Sequence, residues 1–350
     1  MQKSQTKRLR NNNAKIFALA VLLLSSCKSS NKNNETNARE AMFQKCLGLI
    51  DQDMQIRTQN LETAYAKTDP QYFHQISPEN KSYLLRGNLD GGAVLLLHGI
   101  LSSPDALRKL AIEFNKLGMT VLAPLITGFG ATVKVANAGS VEAWQNSVDY
   151  HALSLSKCFS NFSLIGFSLG GALATDFTLN RYTEYQDKNK VARLNSLLLL
   201  SPAIQPAESF VPLKANITLL FADSVPFWLI SKIKNDPDIV EMMKEPKKYN
   251  QYFPVYVGKN LHTLSKILKE SKRRFDLHPL PVSLDYSQSD SATDWEETRG
   301  FLTDSFFDVR VFSYPKEKKV PHTLHLKDDN EIGNEIRKGV ARFVLHYNKD

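Results

Sequence analysis

The hexapeptide GFSLGG, residues 166–171, sets Ser168 between two glycines at the end of the apolar run FSLIG. A serine in G-x-S-x-G spacing carries chemistry only where the pattern joins a strand to a helix. There the glycines lack the β-carbons that would collide as the chain reverses, and the serine can hold a strained backbone that lifts its hydroxyl above the sheet. That chemistry is attack on a carbonyl carbon. An unaided hydroxyl is a poor nucleophile, so it requires an imidazole to take its proton and a carboxylate to orient the imidazole. Asp290 stands three residues beyond the apolar stretch PVSLDYS, and His322 lies in YPKEKKVPHTLHLKDD, after FDVRVFSY. Each has rivals. Asp285 lies inside its stretch, Asp294 opens a helical segment where an acid complements the helix dipole, and His325 is three residues beyond His322. Asp290 fits a strand-end turn best. His151, His262 and His278 fall on helical or inserted segments and default to surface or core roles. The competing reading of Ser168 is a small residue in a glycine-rich bend, and the surrounding elements decide between the two.

Those elements alternate. From residue 93 onward, AVLLLHG, MTVLAPL, FSLIGFS, LNSLLLLSPA, PVSLDYS and FDVRVFSY read as strands. Between them SPDALRKLAIEFNKLG, SVEAWQNSVDYHALSLSK and LGGALATDFTLNRY carry helical spacing, and residues 330–347 form a closing amphipathic helix. Strand and helix in alternation make an α/β fold with a parallel sheet, and near-continuous apolar strands imply that both its faces are covered. GFSLGG falls on one of the strand-to-helix junctions, as nucleophilic chemistry requires. Residues 38–81 form an N-terminal helical segment, with one or two helices over 38–66 packed on the main body. Between Pro202 and Pro281 lie 78 residues, far more than a crossover requires. Because this stretch, about 205–278, leaves and re-enters one sheet, it is expected to be a cap over the sheet's carboxyl edge rather than an independent domain. Its Phe227, Trp228, Tyr249, Tyr252, Phe253 and Tyr256 could line an apolar acyl pocket or simply bury the cap against the sheet.

Residues 82–347 resemble the α/β-hydrolase superfamily, in particular its carboxylesterase, monoacylglycerol-lipase and serine-aminopeptidase-like group. The resemblance rests on GFSLGG, on the chain order Ser168, Asp290, His322, and on LLLHGILSSP at residues 95–104. It implies the α/β-hydrolase fold: a mostly parallel central sheet covered by helices on both faces, with a helical cap inserted before the acid-bearing strand. It also implies a catalytic triad of those three residues, and an oxyanion hole formed by the backbone N–H groups of Ile100 and Leu169, with His98 holding its loop. His322 is favoured over His325 by the group's spacing to Leu326 and Asp328. LITGFG, residues 125–130, and Trp144 match two further features of the group, although Phe129 replaces the usual histidine and leaves the shape of that loop open. Trp144 reads as packing. A serine at the elbow, where dehalogenases and epoxide hydrolases of this fold carry aspartate, implies hydrolysis of esters, thioesters or amides with no metal or other cofactor. The resulting expectation is a carboxylesterase or monoacylglycerol-lipase-like enzyme acting on a small ester with an apolar acyl group. An exopeptidase, or a noncatalytic lipoprotein that uses the fold to bind a ligand, are the alternatives.

Composition agrees with a chain able to bury a sizeable core, at 42% hydrophobic and 23% charged residues. Ahead of the body, the basic KSQTKRLRNNNAK and nine apolar residues IFALAVLLL end at LSSC, and residues 1–26 read as an export signal. The apolar run is too short for a membrane span, which needs about 20 residues. LSSC is similar to the bacterial lipoprotein box, which implies lipidation of Cys27, a flexible polar tether over 27–37, and a membrane anchor in a bacterial cell envelope. By the same resemblance, Lys28 at the position after that cysteine points to the outer membrane, facing the periplasm or the surface. Removal of residues 1–26 takes Lys3, Lys7, Arg8, Arg10 and Lys15 with it and lowers the formal charge from +8 to +3. Such a weak charge, with no stripe of cations interleaved with aromatics, argues against a nucleic-acid partner. SKRR, residues 271–274, reads as a solvated helix end, and neither a dinucleotide fingerprint nor a P-loop is present. Apart from Cys27, only Cys46 and Cys158 remain, which can form one bridge or stay as two buried thiols.

Overall fold

The computed structural model describes residues 32–69, 76–188, 190–207, 224–226, 252–271, 280–326 and 328–347. Its strands are β1 (Tyr83–Leu85), β2 (Ala93–Leu97), β3 (Thr120–Ala123), β4 (Asn161–Phe167), β5 (Arg193–Leu200), β6 (Ser224–Pro226), β7 (Tyr252–Pro254), β8 (Pro281–Ser287) and β9 (Asp308–Tyr314). All but β6 and β7 join one sheet in the order β1-β3-β2-β4-β5-β8-β9. β1 runs antiparallel to β3 at one edge, and every other neighbouring pair is parallel. β1 is three residues long and only partly buried, too short to stand out as an apolar run as the other strands do.

The helices are α1 (Lys32–Thr68), α2 (Arg108–Lys116), α3 (Val133–Asn137), α4 (Val141–Leu155), α5 (Leu169–Asp176), α6 (Tyr182–Asp187), α7 (Val255–Glu270), α8 (Trp295–Ser305) and α9 (Glu331–Tyr347). A single π turn, Phe177–Arg181, joins α5 to α6, where the sequence reads as one continuous helix. Strand side chains alternate between the two faces of the sheet. Val94, Leu96, Leu198 and Leu200 pack on one side with Leu107, Phe114 of α2, and Val340 and Val344 of α9. Their neighbours Leu95, Leu97, Leu197 and Leu199 are equally buried on the opposite face, which α4 and α5 cover. Each fully buried leucine contributes about 1.5–3 kcal/mol relative to exposure, and the central strands are therefore held from both sides.

Of two compact units, the one ending at Gln44 contributes only residues 32–44, the start of α1, to the described chain. α1 is one helix, and it begins at Lys32, inside the segment expected as a tether; residues 28–47 contain neither glycine nor proline to stop it. The export signal, Cys27 and the first part of the tether lie outside the described residues. Among the described residues no helix is long and apolar enough to cross a membrane.

Cys46, on α1, and Cys158, just after α4, form a disulfide with Cα atoms 5.8 Å apart and a sequence separation of 112. Closing so long a loop in the unfolded chain stabilises the fold by about 4–5 kcal/mol on a chain-entropy account. Reduction, or the double variant Cys46→Ala/Cys158→Ala, is expected to lower the unfolding free energy by that amount in urea titrations. An unchanged midpoint would show that the bridge contributes nothing.

Between β5 and β8, β6 and β7 pair antiparallel, with Val225 opposite Phe253, and α7 follows directly. α7 buries Val257, Leu261, Leu264 and Leu268 on one stripe and is fastened to the body by hydrogen bonds from the Tyr256 amide to Asn137 (3.1 Å) and from Asn260 to the Gly139 carbonyl (2.8 Å). Of the cap aromatics, Tyr256 is 45% exposed, while Phe227, Trp228 and Tyr249 lie outside the described residues, as do His278 and Lys272–Arg274 of the basic cluster.

Candidate active site

β4 is the middle strand of the sheet and runs buried up to Phe167. Ser168 follows at once with φ 52° and ψ −116°, and α5 starts at the next residue. A left-handed backbone at a non-glycine residue costs roughly 1–3 kcal/mol and persists only where its surroundings enforce it. Here the Ser168 amide donates to the Leu200 carbonyl (2.9 Å), and the Ser168 carbonyl accepts from the amides of Gly171 (2.9 Å) and Ala203 (2.9 Å). The flanking glycines are sterically required: a β-carbon at Gly166 would lie 2.3 Å from the Gly170 carbonyl oxygen, and one at Gly170 would lie 2.3 Å from that of Leu97. Strand, turn and helix thus arrive as the G-x-S-x-G spacing demands, and the glycine-rich bend is the elbow itself.

β8 ends at Ser287, and the turn after it carries Asp290; β9 ends at Tyr314, and the loop after it carries His322. Ser287 Oγ donates to the Val320 carbonyl (2.5 Å), tying the two loops together. His322 Nε2 stands 3.0 Å from Ser168 Oγ, and His322 Nδ1 stands 2.7 Å from Asp290 Oδ2. An ionised carboxylate only accepts, so Nδ1 carries the proton and donates it to Asp290, leaving the Nε2 lone pair for the serine hydroxyl. The Asp290 carboxylate is further held by the Ala292 amide (2.8 Å), the Thr293 amide (3.2 Å) and the Thr293 hydroxyl (2.7 Å). Its side chain is fully buried. Burial favours the neutral acid, but the His322 ring, the Thr293 hydroxyl and the Ala292 amide together outweigh it and hold the carboxyl below its ordinary range.

The rival residues sit elsewhere. Asp294 caps α8, its carboxylate accepting from the Glu297 amide (3.0 Å). His325 pairs with Asp328 (2.5 Å). His151 is buried in α4, and His262 is exposed on α7. Asp285 is buried within β8, where its carboxyl accepts from Ser283 (3.0 Å) and Tyr314 (3.2 Å). Burial pushes its pKa up from 3.8 to about 7, against the opposing pull of those two hydroxyls. The folded protein therefore holds a proton there that the unfolded chain gives up. Stability from this group is complete below pH 4 and falls as pH rises from about 4 to 7. Asp285→Asn has no such loss, and between pH 4 and 8 its urea midpoint is expected to gain on the native protein by the equivalent of about 3–4 kcal/mol. Parallel pH profiles for the two proteins would contradict the assignment.

The loop after β2 lies against the elbow, since a β-carbon at Gly99 would come within 3.2 Å of the Ser168 β-carbon. Ile100 is the next residue. His98 is fully buried; its Nδ1 bonds the Gly99 carbonyl (2.8 Å) and its Nε2 accepts from the Ile126 amide (3.0 Å). Burial, opposed by the Gly99 bond, pushes its pKa down to about 4, so it is neutral and holds its loop. Phe129 meets His98 edge-on at 5.8 Å and stacks on buried Trp144 at 5.7 Å, which completes the packing of that loop without a histidine. Among the described residues no group of three or more histidine, cysteine, aspartate or glutamate side chains is placed to hold a metal.

Sequence spacing missed two contributors. Thr293 supplies two of the Asp290 bonds, and a threonine three residues after an acid is a common turn signature that carries no sign of its partner. Arg337 of α9 donates from Nη1 to the carbonyls of His325 (3.0 Å) and Leu326 (2.9 Å), beside the left-handed pair Leu324 and His325. It fastens the loop that bears His322, yet in the sequence it is one cation on an amphipathic helix.

Residues 90–317 match the model of the family described as serine aminopeptidase, S33, well over half of the chain. Among solved structures, the chain resembles a monoacylglycerol lipase of Paleococcus ferrophilus at TM-score 0.57 and 20% identity, over 76% of this chain and 98% of that one. It also resembles a monoglyceride lipase variant of Saccharomyces cerevisiae at 0.56 and 14%, over 75% and 90%. A metagenome-derived lipolytic enzyme matches at 0.54 and 17%, over 77% and 99%. No curated protein matches by sequence. At these identities the structural likenesses establish the fold, which is that of the α/β-hydrolases, and the family match establishes membership. The chain belongs to the serine aminopeptidase S33 family of hydrolases.

Proposed function

We propose that this protein is a serine hydrolase that cleaves carboxylic esters, of carboxylesterase or monoacylglycerol-lipase type, through an acyl-enzyme on Ser168. The observation that carries the reading is the unbroken hydrogen-bond relay from Ser168 through His322 to Asp290. Ser168 Oγ attacks the ester carbonyl while His322 Nε2 takes its proton, and Asp290 stabilises the imidazolium that forms. The tetrahedral oxyanion is met by the amides of Ile100 and Leu169, the latter opening α5, whose dipole favours negative charge. His322 then returns the proton to the leaving alcohol. Water attacks the acyl-enzyme with His322 as base, and the acid departs with the enzyme restored. No metal or cofactor enters this sequence.

Ester substrates are supported by the lipolytic enzymes that share the fold, and an apolar acyl group by the aromatic cap sequence. A second reading, release of N-terminal residues from peptides, is favoured by the family's own description. Fluorophosphonate labelling, followed by esters and aminoacyl amides of graded length, separates them: the expected result is labelling at Ser168 and turnover of esters with little turnover of amides. Turnover confined to amides would make the exopeptidase reading correct, and an unlabelled protein would make it a binding module. We also propose that Cys27 is lipidated and anchors the body to a bacterial envelope membrane, the outer one by the identity of Lys28. LSSC supports this, as does the Cys46–Cys158 disulfide, a bond that persists in oxidising compartments. A Cys27→Ala protein recovered in the membrane fraction would remove the anchor.

A further inference from the structure

We infer that Tyr65, on α1, is a positioning residue for the oxyanion hole, an inference that rests on the roles proposed above for Ser168 and the Ile100 amide. Tyr65 precedes the segment that matches the family and is 3% exposed. Its phenol oxygen accepts from the Gly128 amide (2.8 Å), and its hydroxyl donates to the Phe129 carbonyl (3.3 Å). Both groups belong to a tight turn in which Gly128 and Gly130 have φ of +94° and +75° and the Phe129 amide closes on the Ile126 carbonyl (3.2 Å).

That turn is the support of His98. The Ile126 amide donates to His98 Nε2, and the Phe129 ring packs edge-on against the same imidazole. Through Nδ1, His98 bonds the Gly99 carbonyl, which is the carbonyl half of the peptide that presents the Ile100 amide. Gly99 in turn lies against Ser168, with no room for a β-carbon beside the Phe167 ring (2.9 Å). A chain of direct contacts therefore runs from the Tyr65 phenol through the turn and His98 to the donor of the oxyanion hole. α1 and the residue that follows it grip the same stretch on either side: Arg57 reaches Thr127 (3.5 Å), and Asp69 accepts from Thr132 (2.8 Å), the residue that caps α3. Phe129 carries no polar group to satisfy the turn, so the phenol supplied from α1 takes that part.

An oxyanion donor acts on the transition state and scarcely on bound substrate, so a misplaced one lowers kcat and leaves KM. In the full-length protein, Tyr65→Phe keeps the ring and removes the hydroxyl. With the enzyme concentration set by fluorophosphonate titration, so that lost protein does not count, kcat on a short-chain ester is expected to fall about tenfold with KM within about twofold. Affinity for a boronic acid that forms a tetrahedral adduct on Ser168 is expected to fall in parallel. Asp51→Asn, which breaks the α1 contact to Arg86 (2.6 Å) and touches nothing in the turn, is expected to leave kcat unchanged. Native kcat per titrated site in Tyr65→Phe, a change in KM alone, or an equal fall in Asp51→Asn would each overturn the inference. A Ser168→Ala enzyme that kept its turnover would instead sink the nucleophile reading, a failure recognisable without the Tyr65 variant.

Discussion

Replacing Ser168 with alanine is expected to lower kcat for ester hydrolysis by about 10⁴–10⁶ and to abolish fluorophosphonate labelling. The fold should survive, because alanine meets the same backbone demand as serine at φ 52° and the bonds that pin the turn are all made by main-chain groups. On the proposed mechanism, removal of Oγ takes away the atom that attacks and leaves His322 Nε2 with nothing to activate. Whatever rate persists comes from the oxyanion donors and from binding, which assist attack by water. The measurement is single-turnover and steady-state hydrolysis of a chromogenic ester, with thermal unfolding as the control for folding. A variant retaining more than about a hundredth of the native rate would exclude Ser168 as nucleophile.

Asp290→Asn is expected to cost about 10⁴ in kcat, although it changes one carboxylate into its isosteric amide. The native carboxylate can only accept, which obliges His322 to carry its proton on Nδ1. An asparagine can turn its NH₂ toward Nδ1, while its carbonyl still accepts from the Ala292 and Thr293 amides. The ring then holds its proton on Nε2, facing the serine, and cannot act as base. The loss should appear in kcat with KM little altered, since no substrate contact changes. Asp285→Asn is the comparison: it alters a buried acid on the strand that leads to Asp290, with Ser283 and Tyr314 as its partners, and its kcat is expected to stay within about threefold of native. Equal losses in the two variants would show that the acid of the relay had been misidentified.

Much of this site can be read along the chain, and the reasons are local. The glycine at 166 is dictated by the carbonyl of Gly170, four residues on, which leaves no room for a β-carbon, while the glycine at 170 answers to Leu97 on the neighbouring strand. The strands that end at Phe167 and Ser287 are apolar because they are covered on both faces, whereas β9, ending at Tyr314, is an edge strand left largely exposed; the ends of these three strands lead into Ser168, Asp290 and His322. Asp285 and Asp290 illustrate the limit. Five residues apart and chemically identical, one has its pKa pushed up by burial beside two hydroxyls, while the other is held down by an imidazole, a hydroxyl and an amide. Composition and spacing say nothing of which environment each receives.

The sequence by itself determined the alternation of strands and helices, the elbow at Ser168 and the set of acids and bases within reach of it, because sterics and periodicity act between near neighbours. Only the tertiary structure decided that His322 stands 3.0 Å from a serine 154 residues away, that Cys46 meets Cys158, and that a tyrosine ahead of the family's segment bonds the turn at Gly128 and Phe129. Those meetings depend on how whole elements pack. Packing is settled by the summed burial of many side chains, so no single residue's type records its partner.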